Sequence, residues 1–312
     1  MPTRRQPKLV RPPRIRGARA FLLGALFAPA AAAQGVLDLL DGETLYDGGS
    51  LLTLGAEIER GGRLLRGGDQ VGDPLDTVET SLRTTVGFQY GLRHYLQVGF
   101  ALPFVSRERA TNAGDFDAAG LGDLALFTKA RVLRLDGPGF ATNFALIGAL
   151  SVPTGTDDRR ALGMRLEPEL QPGSGSLDPS IGFAVTHEPE RWRFNAAVLY
   201  TFRLDLDDDG NRLGDEFVAE LAAGNRFWLQ PYPGPFMRAD AIVRYYHEDP
   251  ARVGTRLANS GSERATIGLN WAFRPRPSID LQINVEYVVW QQVRGTQVGD
   301  DWSVDFTSGF RF

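Results

Sequence analysis

Residues 301–312, D-W-S-V-D-F-T-S-G-F-R-F, alternate strictly. Trp302, Val304, Phe306, Phe310 and Phe312 fall on one side, and Asp301, Ser303, Asp305, Thr307 and Arg311 on the other. A period of two is that of a β-strand with one apolar and one polar face. The same pattern recurs upstream. It predicts strands at about 50–60, 77–90, 95–105, 121–133, 140–152, 179–187, 192–203, 215–228, 236–247, 263–273 and 279–290. Residues 96–104 show it cleanly: Leu96, Val98, Phe100, Leu102 and Phe104 share one face. Long and short connections alternate along the chain. Tight turns fall at 91–94, 136–139, 188–191, 230–235 and 275–277, with longer, more polar loops between them.

Twelve strands of roughly ten residues, apolar outside and polar inside, with connections sorted by length, form the pattern of a transmembrane barrel. A soluble sandwich also alternates, but its connections need not sort by length, and its polar face need not carry so many ion-pair candidates. The predicted fold class is therefore all-β: a transmembrane, antiparallel, up-and-down β-barrel of about 12 strands spanning 50–312. An even count puts both termini on the periplasmic side. The terminal strand resembles the C-terminal strand of bacterial outer-membrane barrels, which commonly end in Phe. By that resemblance it closes the barrel on the first strand and, through Phe312, addresses the barrel-assembly machinery. The other expected partners are outer-membrane lipid, lipopolysaccharide and a small-molecule solute, and the expected location is the cell outer membrane.

The chain's beginning has a different character. Residues 1–33 read as a secretory signal peptide: Arg4, Arg5, Lys8, Arg11, Arg14, Arg16 and Arg19, then an apolar core from Ala20 to Ala28, then an A-x-A site at Ala31 and Ala33. Removing its seven basic residues takes the net charge from −4 to −11, which argues against a nucleic-acid partner. Residues 34–49 alternate poorly and read as a periplasmic segment, either a short helix or a small plug. The 312 residues include no cysteine, which excludes disulfides and thiolate metal sites. The segment after residue 33 has no run of the ~18 apolar residues a membrane helix needs.

Several motifs lie around the fourth to seventh strands: Gly120-Leu121-Gly122-Asp123-Leu124 with Lys129 and Arg131, Leu150-Ser151-Val152-Pro153-Thr154-Gly155, Gly173-Ser174-Gly175-Ser176 with Asp178, and Trp192 through Tyr200. They resemble the outer-membrane transporter family named for the meta pathway of phenol degradation. The resemblance implies an outer-membrane channel for passive uptake or export of small molecules, of which hydrophobic or aromatic compounds are one class. Alternatives from other classes are a lipase- or esterase-like barrel enzyme and a structural or adhesion barrel without transport.

Three constellations could carry chemistry. The first is the inward charge of the strands: Arg83, Asp123, Lys129, Arg131, Arg193, Arg203, Glu220, Arg226, Arg238, Asp240, Arg244, Arg264, Asp280, Glu286 and Asp305, with Glu57 and Arg311. These charges can stiffen a narrow barrel as ion pairs or line a pore. The set is richer in basic than acidic groups, so the expectation is a mild preference for anions. The second is D-L-D-D-D-G-N-R-L-G-D-E at 205–216, which fits a calcium loop with Asp205, Asp207, Asp209, Asn211 and Glu216 as ligands and Gly210 at the turn. Against that, strands flank it where helices are usual and Arg212 replaces the usual aliphatic residue, so a solvated acidic loop is the plainer reading. No other cofactor is implied. The third is the histidines. His94 and His187 fall at periplasmic turns. His247 lies near Ser260 and Ser262, without a third orienting group for catalysis.

Overall fold

The computed structural model describes residues 40–161, 164–166, 170–204, 211–253 and 255–312. The signal-peptide expectation, and residues 34–39 of the segment after it, lie outside these. Twelve long strands form the wall: β1 Ser50–Arg66, β2 Val78–Arg93, β3 Leu96–Ala110, β4 Leu124–Gly137, β5 Phe140–Val152, β6 Asp178–Pro189, β7 Trp192–Thr201, β8 Glu216–Leu229, β9 Phe236–Glu248, β10 Ser262–Arg276, β11 Ile279–Val293 and β12 Thr296–Arg311. Each pairs antiparallel with its sequence neighbours, and β12 pairs with β1, so the sheet closes. The seam ends with Ser50 N–H donating to the Phe312 carbonyl at 2.8 Å and Phe312 N–H donating to Ser50 at 3.1 Å. The terminal Phe backbone is thus part of the closure.

The twelve-strand expectation holds, with differences at the outer ends. β1 and β12 run further than their alternation suggested, because bulges break the period without ending the strand. β3 is extended by pairing with residues 78–82 and Phe116–Leu121 beyond the expected end. Two register shifts in the β1–β12 ladder, near Arg60, Gly61 and Arg63, bring Asp300 opposite Gly61 and leave Asp301 unmatched. Residues Phe116–Leu121 pair with the outer part of β3 and continue into β4 across Gly122-Asp123.

Outward positions are apolar and exposed, as lipid requires: Leu269 (64% exposed), Leu221, Ile181 and Trp271 are examples. Aromatic pairs mark both ends of the wall, such as Trp192 with Phe194 near the turns and Tyr200 with Phe202 near the loops.

The interior departs from a simple polar lining. From β3 to β8 the inward positions include Ala101, Ala125, Phe127, Ile147, Ala184, Ala197, Leu199 and Val218, which pack with Leu40 into one buried cluster. Ile147 and Leu199 are each 1% exposed. β5 is apolar on both faces, as a strand between lipid and a solid core must be. The barrel is therefore filled on one side. On the other side, β9 to β12 with β1 and β2, the interior stays polar and encloses a cavity of about 300 Å³.

Ile147→Ala should destabilise the folded barrel by about 2–5 kcal/mol, the usual range for a fully buried aliphatic side chain. The check is the folding equilibrium in detergent or lipid followed against urea.

Candidate functional site

Three structural parts define the lumen. The first is residues 40–49, which enter from the end that carries the termini and lie against the inside of the wall. Asp41 accepts from Lys129 Nζ at 2.5 Å and from Arg193 Nη2 at 3.1 Å. Glu43 accepts from Arg193 Nη1 at 2.7 Å. The backbone is held as well: Gly42 N–H donates to Thr186 Oγ1 and Leu45 N–H to Gln97 Oε1, both at 2.8 Å, and Asn195 Nδ2 donates to the Leu40 carbonyl at 2.5 Å. Glycine is required at 42, where a Cβ would sit 2.3 Å from the Asn143 carbonyl oxygen. Burial alone would raise the Glu43 carboxyl's pKa, but the Arg193 guanidinium, helped by Lys129 and Arg238, outweighs that and holds it at about 2. Residues 40–49 carry no helix and lie along the inner wall. We call them the strap.

The second part is the cavity. Arg244 bridges Glu220 (2.7 Å) and Glu286, and Thr266 also donates to Glu286 at 2.8 Å. Arg264 binds Asp300, lies 3.6 Å from Glu59, and stacks its guanidinium 4.4 Å over the Tyr246 ring. Arg238 pairs with Asp240 at 2.8 Å. Arg274 and Arg311 both bind Asp280, and Arg274 also lies over Phe236. Glu57 sits 4.0 Å from Arg83 and directly across the ladder from Asp305, which accepts from Thr307.

The third part is a latch at the loop end. Asp123 accepts from Gly155 N–H at 2.9 Å and from both the N–H (2.6 Å) and Oγ (2.7 Å) of Ser174. Gly155 and Gly173 pass so closely that a Cβ on either would lie 2.8 Å from the other's Cα. Ser174 and Ser176 both donate to Asp178, which with Glu216 flanks the buried Arg203. The loop leaving β5 is thus tied at its beginning and its end. Gln171 within it accepts from Arg107, an inward residue of β3, at 3.0 Å.

The sequence-predicted lining residues divide accordingly. Arg83, Arg193, Glu220, Arg238, Asp240, Arg244, Arg264, Asp280, Glu286 and Asp305 surround the cavity. Five do not. Asp123 and Arg203 belong to the latch. Lys129 lies under the strap. Arg226 binds Glu188 near the turns, and Arg131 donates to the His94 carbonyl at the rim, at 2.6 Å. Sequence reasoning missed Asp41, Glu43, Glu59, Arg274 and Asp300. Strand parity gives Glu59 away, whereas Asp300 faces inward only because of the bulge. The expected basic surplus is reversed. Seven arginines (83, 193, 238, 244, 264, 274 and 311) meet ten carboxylates (41, 43, 57, 59, 220, 240, 280, 286, 300 and 305), a formal balance of −3.

Of the calcium-loop residues, Asp205, Asp207 and Asp209 lie outside the described residues. Asn211 pairs its backbone with Val253, and the Glu216 carboxylate is engaged by Arg203.

The model of the family described as "Putative MetA-pathway of phenol degradation" matches residues 75–300. The chain belongs to this family. The motifs that suggested it, around Asp123, Gly155, Ser174 and Asp178, are those that converge on the latch. They are therefore marks of this barrel's loop anchoring. Among solved structures, the chain is similar to the COG4313 outer membrane channel from Pseudomonas putida F1, with 17% identity, TM-score 0.70, and coverage of 87% of this chain and 98% of that one. It also aligns with the β domain of the Bordetella autotransporter BrkA, with 12% identity, TM-score 0.49, and coverage of 85% and 100%. No curated protein sequence matches the chain. The protein is an outer-membrane β-barrel.

Two outcomes follow. Asp123→Ala removes three charged hydrogen bonds. It should leave the barrel closed but free the loop, speeding tryptic cleavage at Arg159 and Arg160 by at least roughly tenfold, the scale of a single such bond. For the strap, Glu43 is held below its usual value of 4.5, so its contribution is complete above pH 4.5 and is lost as the pH falls through about 2. NMR shifts of the Gly42 and Leu45 amides should move in that window and stay constant above it.

Proposed function

We propose that the protein is a passive outer-membrane channel, and that small molecules pass along the β9–β12, β1 and β2 side of the lumen. The observation that carries this reading is the cavity of about 300 Å³ inside a closed barrel, at the small end of ligand-sized spaces. Polar groups line it, and Phe236, on the inward side of β9 beneath Arg274, adds ring-sized apolar surface. The family's description points to phenol degradation, and the solved channel it resembles supports transport. Small aromatic compounds are accordingly the solute class we assign, with movement in either direction set by the gradient. The C-terminal strand ending at Phe312 serves as the assembly signal for the barrel-assembly machinery.

Catalysis is not part of this reading. His247 faces Glu263 at 3.4 Å and Asp249 at 3.7 Å, and Ser260 Oγ donates to the Leu257 carbonyl. That gives an imidazole between carboxylates, with Ser260 engaged elsewhere.

Single-channel recording of the refolded protein should show small openings that favour cations, because carboxylates outnumber arginines along the path. Asp305→Asn, which removes a carboxylate whose hydrogen-bond donor is Thr307 and not an arginine, should shift the reversal potential toward zero. A preference for anions in the unmodified protein would show that this cavity is not the path. The absence of any openings would favour a structural barrel.

A further inference from the structure

The strap's carboxylates sit on the inner wall as a bound solute would. Lys129 Nζ and the two terminal nitrogens of Arg193 reach three carboxylate oxygens belonging to Asp41 and Glu43. The two cationic side chains are 4% and 11% exposed, so the site is desolvated and already shaped for carboxylate. We propose that Lys129 and Arg193 form a carboxylate-binding subsite whose occupant here is the protein's own strap, and that a small carboxylate solute displaces it. The inference rests on the channel reading only in requiring that solutes reach the cavity.

Three features make the strap replaceable. First, it pairs with no strand along residues 40–47. Its backbone holds Thr186 Oγ1 and Gln97 Oε1, two side-chain acceptors that water can satisfy once it leaves. Second, Asp41 and Glu43 themselves line the cavity, so an arriving solute meets their open side. Third, the Glu43 side chain is 40% exposed while Arg193 beneath it is buried, which makes that pair the first to exchange. A ligand carboxylate has the planar, two-oxygen geometry that an arginine fork binds.

Displacement also changes the path's charge. Withdrawing the strap removes two of the ten carboxylates and uncovers Lys129, giving eight basic and eight acidic groups. The seated barrel repels anions, and the released one does not. A carboxylate that binds the subsite therefore removes the barrier to its own passage.

The chain has no cysteine, so a single Leu45→Cys substitution gives a clean reporter at a buried strap position (Leu45 is 7% exposed). The experiment measures maleimide labelling of that thiol in the refolded protein, with heat-modifiable migration confirming a closed barrel. Benzoate should accelerate labelling saturably, while sodium chloride at equal ionic strength and benzylamine should not. Adding Asp41→Asn and Glu43→Gln should speed labelling without ligand by roughly tenfold or more, the scale of lost charged hydrogen bonds, and abolish the benzoate effect. Equal acceleration by benzoate and chloride would overturn the proposal, since plain screening would then explain it. So would a double variant that labels at the parent's rate. The benzoate comparison stands on the parent alone if the double variant does not fold. Because the readout needs no current, benzoate-dependent labelling in a barrel that never conducts would retain the subsite and reject the channel. Cation-selective openings with labelling indifferent to benzoate would do the reverse.

Discussion

Lipid offers the backbone no hydrogen-bond partner, and everything else in this molecule follows from that constraint. Every N–H and C=O within the membrane must be paired inside the wall, so the sheet has to close, and β12 must meet β1. Closure at twelve strands encloses a space too wide for the wall's own side chains to fill everywhere. The chain meets this in two ways. On the β3–β8 side it builds an ordinary apolar core, completed by Leu40 of the strap. On the other side it leaves the space polar and charged.

Charge in that enclosed space is costly to desolvate and must be paired. Arg244, Arg264 and Arg193 each serve more than one carboxylate, a use suited to a planar, multiply donating cation. The result is a connected network in which the strap takes part through two of its side chains. Wall and strap are thereby coupled by ions as well as by packing, while the loop latch keeps its own pairs around Arg203. The apolar half is solid, and the charged half encloses the cavity.

The wall was legible because alternation is a local signal, and lipid enforces it over every strand. Leu269, Trp271 and Phe273 could be placed from sequence alone. The filled half was less legible. Ala145, Ile147 and Ala149 alternate with Phe144, Leu146 and Gly148, so parity shows which residues share a face but does not show that the inner one is apolar core. The latch was visible as motif residues without a role, since Asp123 reads as a lining charge until Gly155 and Ser174 are brought to it from far along the chain. Asp300 was hidden by a bulge, which shifts the period by one residue. The strap was hidden for a different reason: its partners Gln97, Lys129, Thr186 and Arg193 are 52 to 152 residues away, and nothing local in 40–49 announces them.

Those long separations bear on the order of assembly. The strap's partners lie on β3, β4, β6 and β7, all within the first seven strands to be made. Laid down before β12 meets β1, against an open and curling sheet, the strap's ten residues need only be covered. Leu40 would then be buried by Ala101, Phe127, Ile147 and Leu199 as the apolar half forms, and the seam between β1 and β12 would close over a lumen that already holds the strap.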